Sequence, residues 1–316
     1  MSLSYQRRLL AHPRPRDNRA VVTDDSSGSG GWLRPDLPLP VRRALAHVAG
    51  LSSGPPLDPT LRVTLNFHPD RLARGEPILQ ALARDGVYRS QFETGTSNGG
   101  LTAHPGGDRW RWESRIFAGA YDDAPTALRP RYGALDTRRS PYGAAPRFGS
   151  AHLRLAGHTL DRTTFCFPDS AHGPQHFATA RASALPTRVD VSHVFDLSDP
   201  LDDYVEAHVH GVVDLATDVE ALVLDPAYRG TAVESDAQQL GVAVEWHPGH
   251  RLDVPTLRAH PDYRGPEVVA LGESLAVDGV LTPAELGPAA RTGRHDPQTL
   301  KRVWHLLARY GRAVDA

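Results

Sequence analysis

The sequence predicts an α+β domain, on three observations. Short stretches alternate apolar and polar residues with the period of two that marks half-buried strands. Between them lie a few helical patterns of no more than four turns. The 28 glycines and 27 prolines among 316 residues interrupt both too often for the regular βαβ alternation of a doubly wound sheet.

The first 55 residues, with SSGSGG at 26–31, LRPDLPLP at 33–40 and SSGPPLDP at 52–59, read as a Pro/Gly/Ser-rich arm around one helix, VRRALAHVAG at 41–50, stopped by Gly50. A catalytic-sized domain follows over 56–290, and a C-terminal helix packed on it over 291–316. LRVTLNFHPD, from residue 61, sets Val63, Leu65 and Phe67 against Arg62, Thr64, Asn66 and His68, a strand stopped by Pro69. PILQALARDG at 77–86 puts Ile78, Leu79, Leu82 and Ala83 on one face and ends in Gly86, a helix with its C-cap. VYRSQF at 87–92 reads as extended chain entering a polar loop. One helical piece near RWRWESRIFAGAY precedes two strands, RYGAL at 131–135 and RFGSAHLRL at 147–155. Only fragments are legible over 156–200, where FATARASAL looks helical. Strands return at YVEAHVHG, from 204, and DVEALVLDP, stopped by Pro226, with VVDL between them as a turn. A helix over 232–242, a strand VAVEWHPG at 242–249 and an amphipathic helix TLKRVWHLLARYG at 299–311 complete the chain.

Composition excludes several classes. A net charge of −2 gives no field for polyanions, which argues against a nucleic-acid partner. No apolar run reaches the roughly 18 to 20 residues of a spanning helix, so a soluble protein without a membrane partner is expected. The start shows two arginines but no apolar stretch of export-signal type. Cys166 is the only cysteine, which rules out an intrachain disulfide and a zinc site built from cysteines. Lys301 is the only lysine against 34 arginines, as GC-rich coding would produce, and as would suit a protein that avoids ubiquitin-acceptor lysines inside a eukaryotic cell.

Chemistry could sit in three places. His68, Pro69, Asp70 and Arg71 close a strand, where binding residues gather; a solvated turn would look the same. The run from Arg89 through Ser90, Phe92, Thr96, Ser97 and Asn98 combines a guanidinium, a ring, hydroxyls and Gly-rich backbone, the parts needed to grip a phosphorylated ligand, though it is neither a Walker loop nor G-x-G-x-x-G. Strand alternation puts Tyr204, Glu206, His208 and His210 on one face, which is either a wet sheet face or a site. His-x-His offers two imidazoles to one ion, with a third ligand from His68, His152, His172, His176 or a carboxylate. Trp110 and Trp112, with Arg109, Arg111 and Glu113, could line a cleft or anchor a helix. Cys166 reads as a small buried hydrophobe.

A strand ending in His, the helix PILQALARDG, a polar loop, and late strands E-A-H-V-H-G and D-V-E-A-L-V resemble the layout of ADP-ribosyltransferases. More closely, NFHPDR, GVYRSQFETGTSNGGLTAHPGGDR, RFGSAHLRL and YVEAHVHG together resemble the CteC-like bacterial effectors, over about residues 60–285. The resemblance implies a split β-sandwich core, NAD as co-substrate, and mono-ADP-ribosylation of a threonine of ubiquitin by a secreted toxin acting in the host cytoplasm. It implies Glu206 as the catalytic carboxylate, His68 on the nicotinamide ribose, Arg71 or Arg89 on the diphosphate, with His68 and Arg89 ranked above Arg71 as the NAD anchor, Phe92 or Tyr132 stacked on a ring, and Ser150 where arginine-type transferases keep a serine. Tyr204 and His208 would then face the acceptor. Branches that modify arginine carry Glu or Gln two residues before the catalytic glutamate; Tyr204 stands there, which disfavours arginine as acceptor. Two other classes compete: a metal-dependent hydrolase centred on His208 and His210, and a non-catalytic ubiquitin-binding module.

Overall fold

The computed structural model describes residues 35–95, 102–170, 172–185 and 199–312, and everything below concerns these. They fold as an α+β structure around one large mixed sheet. Its eight strands, in chain order, are β1 Val63–Phe67, β2 Arg131–Leu135, β3 Ala151–Leu155, β4 Thr163–Phe167, β5 His176–Thr179, β6 Val205–Val209, β7 Val219–Leu224 and β8 Ala243–Trp246. The spatial order is β8-β7-β3-β1-β2-β6-β4-β5, antiparallel throughout except for β7 with β8.

The middle of this sheet positions the site. β3 runs along β1 from Thr64↔Arg154 to Phe67↔Ala151, and β6 pairs with the whole of β2, from Arg131↔Val209 to Leu135↔Val205. β1 and β2, by contrast, meet only at Val63↔Leu135 and Thr64↔Ala134. The sheet is therefore two four-stranded halves joined at one end, a single hydrogen-bonded sheet in place of the two sheets of a sandwich. Gly133 stands where they converge: a Cβ there would lie 2.5 Å from both Leu65 Cδ2 and the Thr64 carbonyl oxygen.

β1 departs from the predicted half-buried strand, because all five of its residues are buried. Its polar face is covered by backbone. The Ala144 N–H donates to Thr64 Oγ1 at 2.9 Å, and Asn66 donates to the Tyr142 carbonyl at 3.0 Å. Of the predicted helix FATARASAL, residues 177–179 instead belong to the edge strand β5, where Thr179 and Ala178 pair with Thr164 and Phe165 of β4, and 180–185 are turn and irregular chain. Ladder pairing overrides the helical leaning of Ala178. VVDL, read as a turn, contributes Val213 and Asp214 to a two-residue strand against Val87 and Tyr88.

Helices α1 Leu39–Leu51, α2 Ile78–Asp85, α3 Gln91–Thr94, α4 Asp108–Ile116 and α5 Ala232–Gln238 surround the sheet. Gly86 ends α2 at φ 65°, the left-handed conformation for which glycine is suited. A second core lies among α6 Pro266–Leu275, α7 Pro283–Arg291 and α8 Pro297–Tyr310, where Val268, Leu286, Val303 and Leu307 meet. α8 is the predicted C-terminal helix, started by Asp296, which caps Thr299 N at 2.8 Å. Trp304 Nε1 donates to the Pro146 carbonyl at 2.9 Å and ties α8 to the turn before β3. No helix among the described residues is long and apolar enough to cross a membrane.

Candidate functional site

The gap between β1 and β2 holds an inner pocket of about 110 Å³, with Asn66 from β1, Tyr132 and Gly133 from β2, and Glu206 from β6 in its walls. Beside it lies an outer groove of about 730 Å³, and Tyr88, Gln91, Tyr132, Arg147, Phe148 and Lys301 line both. That volume falls in the usual range of small-molecule sites. His68, Arg71 and Arg89 line the outer groove, and α8 closes one side with Pro297, Gln298 and Lys301. The early His and Arg positions line the outer groove and the late glutamate the inner pocket, two adjacent spaces with six wall residues in common.

Glu206 is only 5% exposed, and both of its oxygens accept hydrogen bonds. Ser170 donates to its Oε2 twice, from the backbone N–H at 3.2 Å and the hydroxyl at 3.0 Å. His208 Nε2 lies 3.0 Å from Oε1, and Arg109 Nη1 lies 3.9 Å from the same oxygen while donating to Ser170 Oγ at 3.2 Å. A buried carboxylate persists only with such donors around it. Burial works against the Arg109 charge, but Tyr132, Glu206 and Glu113 outweigh it and its pKa is raised. The guanidinium sits 3.9 Å from the centre of the Tyr132 ring. The Tyr132 hydroxyl donates to Glu113 at 2.7 Å, and Arg129 donates to the other oxygen of Glu113 at 2.6 Å. Burial pushes the Tyr132 and Tyr204 phenols well above their ordinary range, so both are protonated, and Tyr204 donates to Asp169.

In the outer groove the cations outnumber the carboxylates, but most are occupied. Arg89, 42% exposed, bonds Asp85 at 2.6 Å and Glu93 at 3.3 Å. Arg84 pairs with Glu76 and Asp85, Arg147 with Asp202, and the Arg74 guanidinium with the Glu93 carbonyl. The Arg71 side chain has no hydrogen bond or salt bridge among the described residues. His68 packs edge-on against Trp304 with ring centres 4.9 Å apart, and burial pushes its pKa down to about 3, so it is neutral.

Several sequence-predicted residues stand elsewhere. The Ser90 hydroxyl accepts from Glu93 N at 3.2 Å in a capping box that starts α3, and donates to the Thr126 carbonyl at 2.8 Å. Of the chain expected to be extended over 87–92, Val87 and Tyr88 are so, while Gln91 and Phe92 are helical for that reason. Phe92 lies under the Arg129 guanidinium at 4.1 Å, outside both pocket walls. Ser150 is buried against the Tyr228 hydroxyl at 3.0 Å, also outside both. Thr96, Ser97 and Asn98 lie outside the described residues. His208 is behind Glu206 rather than in the cleft. Of the tryptophan segment, Arg109 reaches the inner pocket, Trp112 packs 5.1 Å from His208, and Arg111 is on the surface beside Asp108 at 3.7 Å.

Sequence reading missed Asp169 and Ser170. They follow β4 directly in TTFCFPDS, the same strand-end position that singled out His68, and the signal was hidden because β4 itself was not recognised. Arg147 and Lys301 carried no local signal, since only the docking of α8 brings Lys301 to the cleft.

The two histidines do not chelate together. Thr164 Oγ1 stands between them, 3.1 Å from His208 Nδ1 and 2.9 Å from His210 Nε2. The metal-capable grouping around His208 among the described residues is Cys166 and Glu206, within 4.8 Å. Burial, with Glu206 and Asp169 adding to it, pushes the Cys166 thiol well above its ordinary range. A second grouping, Asp225, His247 and His250, is internally satisfied at His247: its Nε2 donates to the Ser150 carbonyl at 2.8 Å and its Nδ1 accepts from Gly249 N at 3.0 Å.

No curated protein matches the chain. A family model does, over residues 62–187 and 187–310, a span that holds both pocket walls, β6 and α8. The chain belongs to that family, DUF3626, described as a protein of unknown function.

Proposed function

We propose that the protein is an NAD-dependent mono-ADP-ribosyltransferase that modifies a protein hydroxyl, with a threonine of ubiquitin as target, and that β1 and β2 are the split of an ADP-ribosyltransferase-like core. One observation carries the reading: a buried carboxylate, Glu206, sits in an inner pocket that shares six wall residues with a basic groove. Cleaving the bond between nicotinamide and ribose builds positive charge on the sugar, and a fixed carboxylate in a water-poor pocket is the group that stabilises it. The leaving nicotinamide takes the electron pair of the broken C–N bond. The acceptor oxygen forms the new bond to the same carbon, and its proton departs to solvent.

The groove suits a dinucleotide diphosphate through Arg71, whose guanidinium is open to bidentate contact, rather than through Arg89, which Asp85 and Glu93 already hold. Neutral His68 offers a ring nitrogen to a ribose hydroxyl, and the Arg109–Tyr132 pair forms a flat wall near the carboxylate. Tyr204, hydrogen-bonded to Asp169, presents no carboxylate to an arginine acceptor. The lone lysine fits action inside a cell that ubiquitinates proteins.

Incubation of the protein with NAD and ubiquitin, followed by intact mass, tests this. A gain of one ADP-ribose unit on ubiquitin is the expected result. Nicotinamide release with unmodified ubiquitin would remove the target and keep the chemistry; no NAD consumption and stoichiometric zinc in the purified protein would replace the reading with the metal-dependent hydrolase.

A further inference from the structure

Four buried groups behind Glu206 are unused by this account: His208, Thr164, His210 and Tyr121, all 0% exposed. They form a chain. His208 Nε2 is 3.0 Å from Glu206 Oε1, Thr164 Oγ1 is 3.1 Å from His208 Nδ1 and 2.9 Å from His210 Nε2, and the Tyr121 hydroxyl is 2.6 Å from His210 Nδ1.

Counting donors assigns its direction. A carboxylate has no hydrogen to give, so His208 Nε2 donates to Glu206. With one hydrogen on each imidazole, His208 Nδ1 accepts from the Thr164 hydroxyl, the Thr164 oxygen accepts from His210 Nε2–H, and His210 Nδ1 accepts from the Tyr121 hydroxyl. Burial keeps Tyr121 protonated and His210 neutral, which these roles require. Every hydrogen of the chain points toward Glu206 and no ring nitrogen is left over. Trp112 and Phe117, with ring centres 5.1 and 5.5 Å from His208, wall the chain from the side.

We propose that His208, Thr164, His210 and Tyr121 are a positioning relay for Glu206, which rests on the reading of Glu206 as the catalytic carboxylate. His208 holds Oε1 from behind while Ser170 holds Oε2, so the carboxylate is locked in one orientation before any ligand arrives. Aligned hydrogen bonds also favour its charge in a buried place. No ring nitrogen of the relay is left to take up a proton, so it steadies Glu206 without draining one, and the acceptor's proton leaves through the cleft.

Thr164→Val removes the central hydroxyl at nearly constant shape, and Thr164→Ser restores it; Tyr121→Phe cuts only the far end. With NAD turnover read as separate kcat and KM, Thr164→Val is expected to lose on the order of tenfold in kcat with KM little changed, Thr164→Ser to recover it, and Tyr121→Phe to lose less. Wild-type kcat in Thr164→Val, alongside an inactive Glu206→Gln, would remove the relay alone. Equal losses in Thr164→Val and Thr164→Ser that track a falling Tm would reduce it to packing. A wild-type protein that never consumes NAD would remove the reading of Glu206 and the relay with it.

Discussion

Two groups of buried histidines occupy this molecule, and they are built differently. At the junction between the sheet and α8, His68, His152, His250 and His305 are sunk among Trp304, Tyr142 and the turn before β3, and burial pushes their pKa values down to about 3, 3, 4 and 2. Their polar atoms are incompletely served: His152 Nδ1, His250 Nε2 and both nitrogens of His305 have no hydrogen-bond partner among the described residues. Behind the cleft, His208 and His210 are buried as deeply, yet all four of their ring nitrogens are engaged in a chain that ends on a carboxylate. Burial of a titratable group therefore does not mark a site here. Complete, directed hydrogen bonding onto a reacting group does. Apart from His68, which also lines the outer groove, the first set behaves as polarisable filling and the second as machinery.

The largest expected effect lies at the junction. Each of its four histidines is neutral when folded and has a folded pKa below the unfolded value, so its contribution is fully present above about pH 6.5 and is lost as pH falls through the folded values. Below pH 6.5 each group costs about 1.4 kcal/mol per pH unit, enough in sum to exhaust a typical stability within two or three units. Thermal unfolding from pH 7 to 4 should show Tm falling steeply, and His305→Leu should flatten that fall by close to one proton without loss at pH 7. An unchanged slope in His305→Leu would separate it from the junction set.

The comparison extends to arginines with its sign reversed. For a groove residue a missing partner, not a complete set, marks readiness for ligand. Calorimetry should find that Arg71→Ala weakens NAD binding by roughly tenfold to a hundredfold, as expected for losing a charge-assisted contact, while Arg89→Ala weakens it less. Equal losses would break the distinction. A smaller effect concerns the frame. Gly133→Ala forces a methyl against Leu65 and the Thr64 carbonyl, and should cost about 1 to 3 kcal/mol by denaturant unfolding. Smallest is Ser90→Ala, which removes a helix cap worth about 1 kcal/mol and should leave NAD affinity unchanged, because the hydroxyl points at Thr126 and not at the groove.

Much of the fold was legible where chain and environment agree. β2 coincides with RYGAL, α2 and its Gly86 stop with PILQALARDG, and β6 and β7 with the alternating and apolar runs after Tyr204. It failed where long-range pairing decides: β5, and β4, whose TTFCF runs two threonines into three apolar residues and so shows no alternation. At the site, alternation placed Tyr204, Glu206, His208 and His210 on one face, but could not tell which of them meets the cleft and which stands behind. That depends on Ser170, Arg109 and the aromatic wall, supplied by distant segments. The capping box at Ser90 and Glu93 was readable as S-x-x-E and was read as ligand-gripping loop, because a hydroxyl beside an arginine fits either use.

The account turns on Glu206. Glu206→Gln keeps the shape and removes the charge, so calorimetry and nicotinamide release, run on the same preparation, test it most directly. The account predicts a folded variant that binds NAD with affinity near wild type and releases nicotinamide at least a thousandfold more slowly, on the order of the loss of a principal electrostatic group. Nicotinamide release by Glu206→Gln at the wild-type rate would contradict it.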